Sequence, residues 1–130
     1  MKILALKTDT KEAQILLTEG TDVLSEEKWQ AHKELSVTLH AKIEDLLRVN
    51  NIDYKDLQGL IVFRGPGSFT GLRIGITVAN TLADGLNIPI VGTQTDDWIN
   101  QGMGKLKDGK NDRLVLPEYG GEPNITKQKK

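Results

Sequence analysis

The chain has no cysteine among its 130 residues, which excludes disulfides and thiolate metal sites and leaves a reducing compartment permitted but not required. It has no excess of charge: 17 basic side chains against 18 acidic ones give a net of -1, so the surface carries no bias toward polyanions. It has no apolar run near the roughly 20 residues that a spanning helix needs, so no membrane contact is expected. Met1 to Leu6 holds one lysine and a few apolar residues, without a longer apolar core or a small-residue cleavage site. A first strand is expected there, not a secretory leader, and the expected location is the cytoplasm. The length suits one compact domain around one core.

What is present divides into three stretches. Ile3 to Leu6 is a short apolar run that ends in the polar cluster Lys7-Thr8-Asp9-Thr10-Lys11. Ala13 to Thr18 and Val23 to Trp29 follow, separated by Glu19-Gly20-Thr21-Asp22, which predicts an antiparallel meander. Ser25, Glu26, Glu27 and Lys28 are poor strand formers, so the third strand is expected at an edge. From Glu34 to Val49 the period becomes helical, with Leu35, Leu39, Ile43, Leu46 and Leu47 at steps of three and four. Asn50 and Asn51 are plausible terminators, and Asp53 with Asp56 resembles a cap on a single turn. Leu60 to Phe63 reads as a buried strand, Gly71 to Leu86 as a second helix, and Ile88 to Val91, closed by Gly92, as another strand. Strand, helix, strand is the signature of a parallel crossover. Beyond Thr93 a helix start is expected at Asp96 to Asn100 and a strand-like piece at Leu114 to Leu116, in a loose, polar, glycine- and lysine-rich extension ending in the basic Lys127 to Lys130. Those lysines read as a solubilising tail more readily than as an RNA contact.

Candidate chemistry is sparse. The glycine-rich segment Arg64 to Arg73 joins a strand to a helix, where backbone amides and a helix dipole can bind phosphate. It misses the Walker and dinucleotide spacings, and Pro66 removes one donor, so a tight turn that needs glycine is the simpler reading. Gly71, Gly75, Ala79 and Ala83 form a stripe of small residues for close packing, by default against the sheet. Ile74, Ile76, Val78 and Leu82 widen the apolar arc beyond one contact face. His32 and His40, if both are helical, stand about 12 Å apart, too far to share a metal, and read as surface or interface residues. Asp96 and Asp97 read as a cap for the next helix. No cofactor is expected.

The twelve residues Arg64-Gly65-Pro66-Gly67-Ser68-Phe69-Thr70-Gly71-Leu72-Arg73-Ile74-Gly75 resemble the signature of the TsaB (YeaZ) family. Segments similar to Glu34-Leu35-Ser36 and Tyr54-Lys55-Asp56-Leu57 agree with it, and the resemblance runs from Met1 to about Thr93. It implies an α/β fold: a single actin-like, Hsp70-like (ribonuclease H-like) ATPase lobe, with an antiparallel meander, parallel strands and two main helices. The expected organisation is a lobe over 1–95, a short polar extension over 96–130 and no second lobe. The resemblance further implies a scaffold without a catalytic centre. Its partner would be a TsaD-like catalytic paralogue, joined in bacteria by a TsaE-like ATPase, in making threonylcarbamoyladenosine in tRNA, with tRNA touched only indirectly. Partner contact is expected through the two helices, at Leu35, Leu39, His40, Ile43, Leu72, Ile76, Ala79 and Asn80, and the same helices could form a homodimer.

Two departures from the family pattern bear on this. Where the family reads Asp-Thr-Ser-Thr after its first strand, this chain has Lys7-Thr8-Asp9-Thr10, which removes the acid that related ATPases place near phosphate and metal. Pro117-Glu118-Tyr119 vaguely resembles the family's C-terminus, as though an internal segment had been deleted. An independent homodimeric interaction or regulatory protein is the alternative; a small nucleotide hydrolase or a metal-dependent glycoprotease would need acidic or histidine ligands that the chain scarcely offers.

Overall fold

Alternating apolar residues and short turns build a five-stranded sheet in the computed structural model, which describes residues 1–119. Strands β1 (Lys2–Lys7), β2 (Glu12–Glu19) and β3 (Asp22–Gln30) form the antiparallel meander. Gly20, at φ 63, supplies the left-handed residue that the tight β2–β3 turn requires. Helix α1 (Leu35–Val49) then leads through a one-turn helix, Tyr54–Asp56, to β4 (Gly59–Phe63). Asp53 and Asp56 form the reciprocal cap expected of that turn. Helix α2 (Phe69–Leu86), β5 (Ile90–Thr93) and α3 (Trp98–Lys107) complete the order. The sheet runs β3-β2-β1-β4-β5, with β4 parallel to both neighbours and β3 at an edge.

The pleat separates two faces. Thr8, directly after β1, meets α2 at Gly71 and Gly75, whereas Gly59 faces Leu106 and Ile61 faces Gly102, both on α3. Helices α1 and α2 thus cover one face and α3 the other, around a core that includes Leu4, Leu6, Ile15, Leu17, Leu39, Ile43, Leu60 and Leu72. Edge strand β3 holds α1 by polar contacts instead: Trp29 Nε1 donates to Thr38 Oγ1 (3.0 Å), Lys42 Nζ to Glu27 Oε2 (3.1 Å) and Asn50 Nδ2 to Ser25 Oγ (2.9 Å). Alternate residues of β3 carry this job, which explains its polar sequence.

Three boundaries differ from expectation. Helix α2 starts at Phe69, not Gly71. Strand β5 lies two residues later than expected, because Asn87 ends α2 in the left-handed region and the Ile88 amide still caps Ala83 O (3.0 Å). The extension expected to be loose from residue 96 is anchored at points: Trp98, Gly102, Leu106 and Val115 are buried on the same core, while residues 107–114 are exposed. Leu114 to Leu116 is not a strand. Asp112 N does bond to Ile90 O (2.8 Å), but side chains take over the rest of the β5 edge, with Asn111 Oδ1 accepting from Ile90 N (3.1 Å) and Asp112 Oδ2 from Gly92 N (2.9 Å). Asn80 then reads both backbone groups of Val115, at 3.0 and 2.9 Å. The edge is covered by loop and side chain rather than left open for pairing. Lys127 to Lys130 lie outside the described residues.

Candidate functional site

The glycine-rich motif owes its residues to close approach. A Cβ on Gly67 would lie 2.5 Å from Asp9 Cβ, and one on Gly71 or Gly75 would collide with Thr8. Gly65 sits at φ 122 with the Glu118 carbonyl where its Cβ would be. The turn after β1 therefore lies flat against the loop and the first turns of α2. Thr8 is fully buried, and its hydroxyl donates to Gly71 O (2.7 Å). The Ser68 amide is spent on Asp9 O (2.8 Å) and Pro66 has none to give, so these two positions offer no donor to an anion and the loop's glycines are explained by close packing. Arg64 ties the joint to the C-terminal segment: Nε donates to Leu116 O (2.9 Å) and Nη1 to Gln94 Oε1 (2.8 Å). Phe69 and Tyr119 stack beside it with centroids 4.5 Å apart, and Arg73 lies over the Phe69 ring. Lys7 takes the end of β1, paired with Asp9 Oδ1 at 2.7 Å and lying over Phe63.

The small-residue stripe of α2 packs inward, with Gly75, Ala79 and Ala83 all buried. The opposite side of α2 meets α1 across a groove of about 360 Å³ lined by Ser36, His40, Thr70, Arg73, Ile74 and Thr77. Through Thr70 and Ile74 it continues into a second hollow of about 660 Å³ that reaches Lys11, Lys33 and Ser68. The groove has an apolar strip, Ile74 and Val78, between polar and basic walls.

This placement bears on the eight residues assigned from helical spacing and family resemblance. Leu35, Leu39, Ile43, Leu72, Ile76 and Ala79 are all less than 5% exposed within the chain's own core, so these side chains are not presented to a partner. Of the eight, His40 is exposed on the groove, and Asn80 is engaged with Val115. Of the other groove residues, Ser36 and Thr77 were not singled out from the sequence, and Ile74 was read only as widening the apolar arc of α2. The signal was there: Ser36 and His40 on α1, and Arg73 and Thr77 on α2, are i, i+4 pairs that border the apolar arc instead of filling it. The His32 side chain lies outside what is described. Asp97 does occupy the cap position of α3, although its carboxylate accepts from Asn100 Nδ2 (2.8 Å) and not from the backbone. Among the described residues, no three His, Asp or Glu side chains gather where they could hold one metal.

The sheet order, the parallel β1–β4–β5 core and the helix pair opposite a third helix define a single actin-like, ribonuclease H-like α/β lobe. YeaZ from Pseudomonas aeruginosa superposes with a TM-score of 0.69 at 26% identity, covering 83% of this chain and 50% of that one. The Thermus thermophilus RuvC structure with a Holliday junction substrate, at 10% identity and a TM-score of 0.53, shares the fold alone. Residues 26–115 match the family described as TsaD, tRNA N6-adenosine threonylcarbamoyltransferase. The tRNA threonylcarbamoyladenosine biosynthesis protein TsaB of Escherichia coli is 36% identical over 107 residues, 78% of this chain and 44% of that protein. The TsaB of Bacillus subtilis is 39% identical over 90 residues, 69% of this chain and 39% of its own length. The chain therefore belongs to the TsaB/YeaZ family, within the wider TsaD-like group. It spans less than half the length of these two relatives.

Proposed function

We propose that the chain is a non-catalytic partner of a TsaD-like threonylcarbamoyltransferase in the biosynthesis of threonylcarbamoyladenosine in tRNA. A TsaE-like ATPase would join the pair, tRNA would be touched only indirectly, and the setting would be the cytoplasm. The observation that carries this reading is the α1–α2 groove, a long concave surface with an apolar strip between polar and basic walls, along which no group of three metal-ligating side chains gathers among the described residues. The names of the TsaB relatives supply the pathway. Lys7 supports the absence of independent turnover, since a lysine ion-paired to Asp9 stands at the end of the first strand, where related ATPases use an acid.

Groove and core residues make the test specific. Ile74→Glu places a charge in the apolar strip, where Ile74 is half-buried against the core, and we expect it to abolish a complex with the TsaD-like protein in analytical ultracentrifugation under conditions where circular dichroism shows the variant chain still folded. Leu72→Ala should instead lower stability by about 2–5 kcal/mol, the range for a fully buried leucine. An Ile74→Glu chain that binds as well as the parent would remove the groove as the contact. A homodimer through the same helices would show as a self-association that Ile74→Glu also breaks.

A further inference from the structure

On the side of the sheet away from the groove, a separate pocket of about 270 Å³ opens outside the carboxyl ends of β4 and β5. That end of a parallel sheet is where open α/β folds bind ligands. Two cations line it, Arg64 and Lys105, and among the described residues neither has an ion-pair partner. Their charged ends flank the end of β5: Arg64 Nη1 donates to Gln94 Oε1 (2.8 Å), and Lys105 Nζ donates to Gly92 O (2.9 Å). The described contacts use two of the five guanidinium donors of Arg64 and one of the three ammonium donors of Lys105.

Thr93 adds an independent observation. It lines the same pocket, is 1% exposed, and its hydroxyl has no hydrogen-bond partner. A buried hydroxyl left unpaired costs about 1–3 kcal/mol, so an unsatisfied one in a polar pocket calls for a partner. One carboxylate is present, Asp112, but Oδ2 is held by the Gly92 amide (2.9 Å), so Arg64, Lys105 and Asp112 sum to one positive charge.

We infer that this pocket is an oxyanion site, taking a phosphoryl or carboxylate group of a small ligand between Arg64, Lys105 and the Thr93 hydroxyl. A planar fork, a point charge and a hydroxyl donor suit an anion with several acceptor oxygens. The pocket is too small for a whole nucleotide and large enough for one such group. It shares no lining residue with the α1–α2 groove, so the site stands or falls apart from the partner reading.

The test is titration of the full chain with inorganic phosphate, and separately with acetate, followed by amide chemical shifts against sodium chloride at matched ionic strength. Saturable shifts at Gly92, Thr93 and Gln94 are expected. Lys105→Gln, which keeps a donor for Gly92 O, should weaken binding about tenfold or more. Thr93→Val should weaken it several-fold while leaving the urea midpoint equal or higher, because it removes the orphan hydroxyl; a purely structural role would not separate those readouts. Stronger saturation by phosphate identifies a phosphoryl ligand, and by acetate a carboxylate. Shifts that sodium chloride reproduces, or affinities unchanged in both variants, overturn the site.

Discussion

Replacing Gly75 by alanine tests the joint between the first strand and α2 most sharply, because two opposing effects can be weighed. In a helix interior the change alone stabilises by about 1 kcal/mol. Here the new methyl would overlap Thr8 Oγ1 and lie 3.0 Å from Thr8 Cγ2 and 3.1 Å from its Cβ. Thr8 cannot yield cheaply. It is fully buried, and its hydroxyl is committed to Gly71 O at 2.7 Å. Overpacking costs about 1–3 kcal/mol, and stranding the hydroxyl adds about 1–3 kcal/mol. The net expectation is a loss of about 3 kcal/mol, read as a lowered urea midpoint by circular dichroism. Gly85 in the same helix has nothing within 4 Å of the corresponding position, so Gly85→Ala should stabilise by up to about 1 kcal/mol. The double variant Thr8→Ala/Gly75→Ala should recover part of the loss. A Gly75→Ala chain that is stabilised like Gly85→Ala would refute the close approach.

Two further outcomes follow from the same geometry. Asn80→Ala removes both bonds to the Val115 backbone, a loss of about 1–3 kcal/mol, and should raise hydrogen exchange across residues 111–119 before it does so in β1. Burial pushes the Tyr54 phenol above its ordinary value of 10.0, and the Glu44 carboxylate adds to the shift. A raised folded value means that the stabilisation is complete below pH 10.0 and is lost as the pH rises through the folded value, so the alkaline fall in stability should be shallower in Tyr54→Phe.

Much of the fold was legible because local period and burial agreed. The α1 positions Leu35, Leu39, Ile43, Leu46 and Leu47 were read as one face, and all five are buried. The polar β3 was placed at an edge, where it lies. What failed has a common cause in long-range contacts. The segment 111–119 has no strand period because Asn80, Asn111 and Asp112 side chains, not a backbone ladder, fasten much of it. Its attachment through Arg64 spans 52 residues and leaves no local trace. Helical spacing was less informative about the candidate site: the most apolar helix positions assigned to a partner are buried against the sheet, and the groove is lined instead by the border residues His40, Arg73, Ile74 and Thr77. Helical spacing identifies an apolar face, whereas only packing shows which part of a wide arc remains uncovered.

The central claim is partnership, and the most direct measurement is co-purification of this chain with the TsaD-like protein of the same genome, followed by the mass of the product. A defined heteromer, with the α1–α2 groove protected from hydrogen exchange, is the predicted result. No complex at micromolar concentrations, with a stable homodimer in its place, would contradict it.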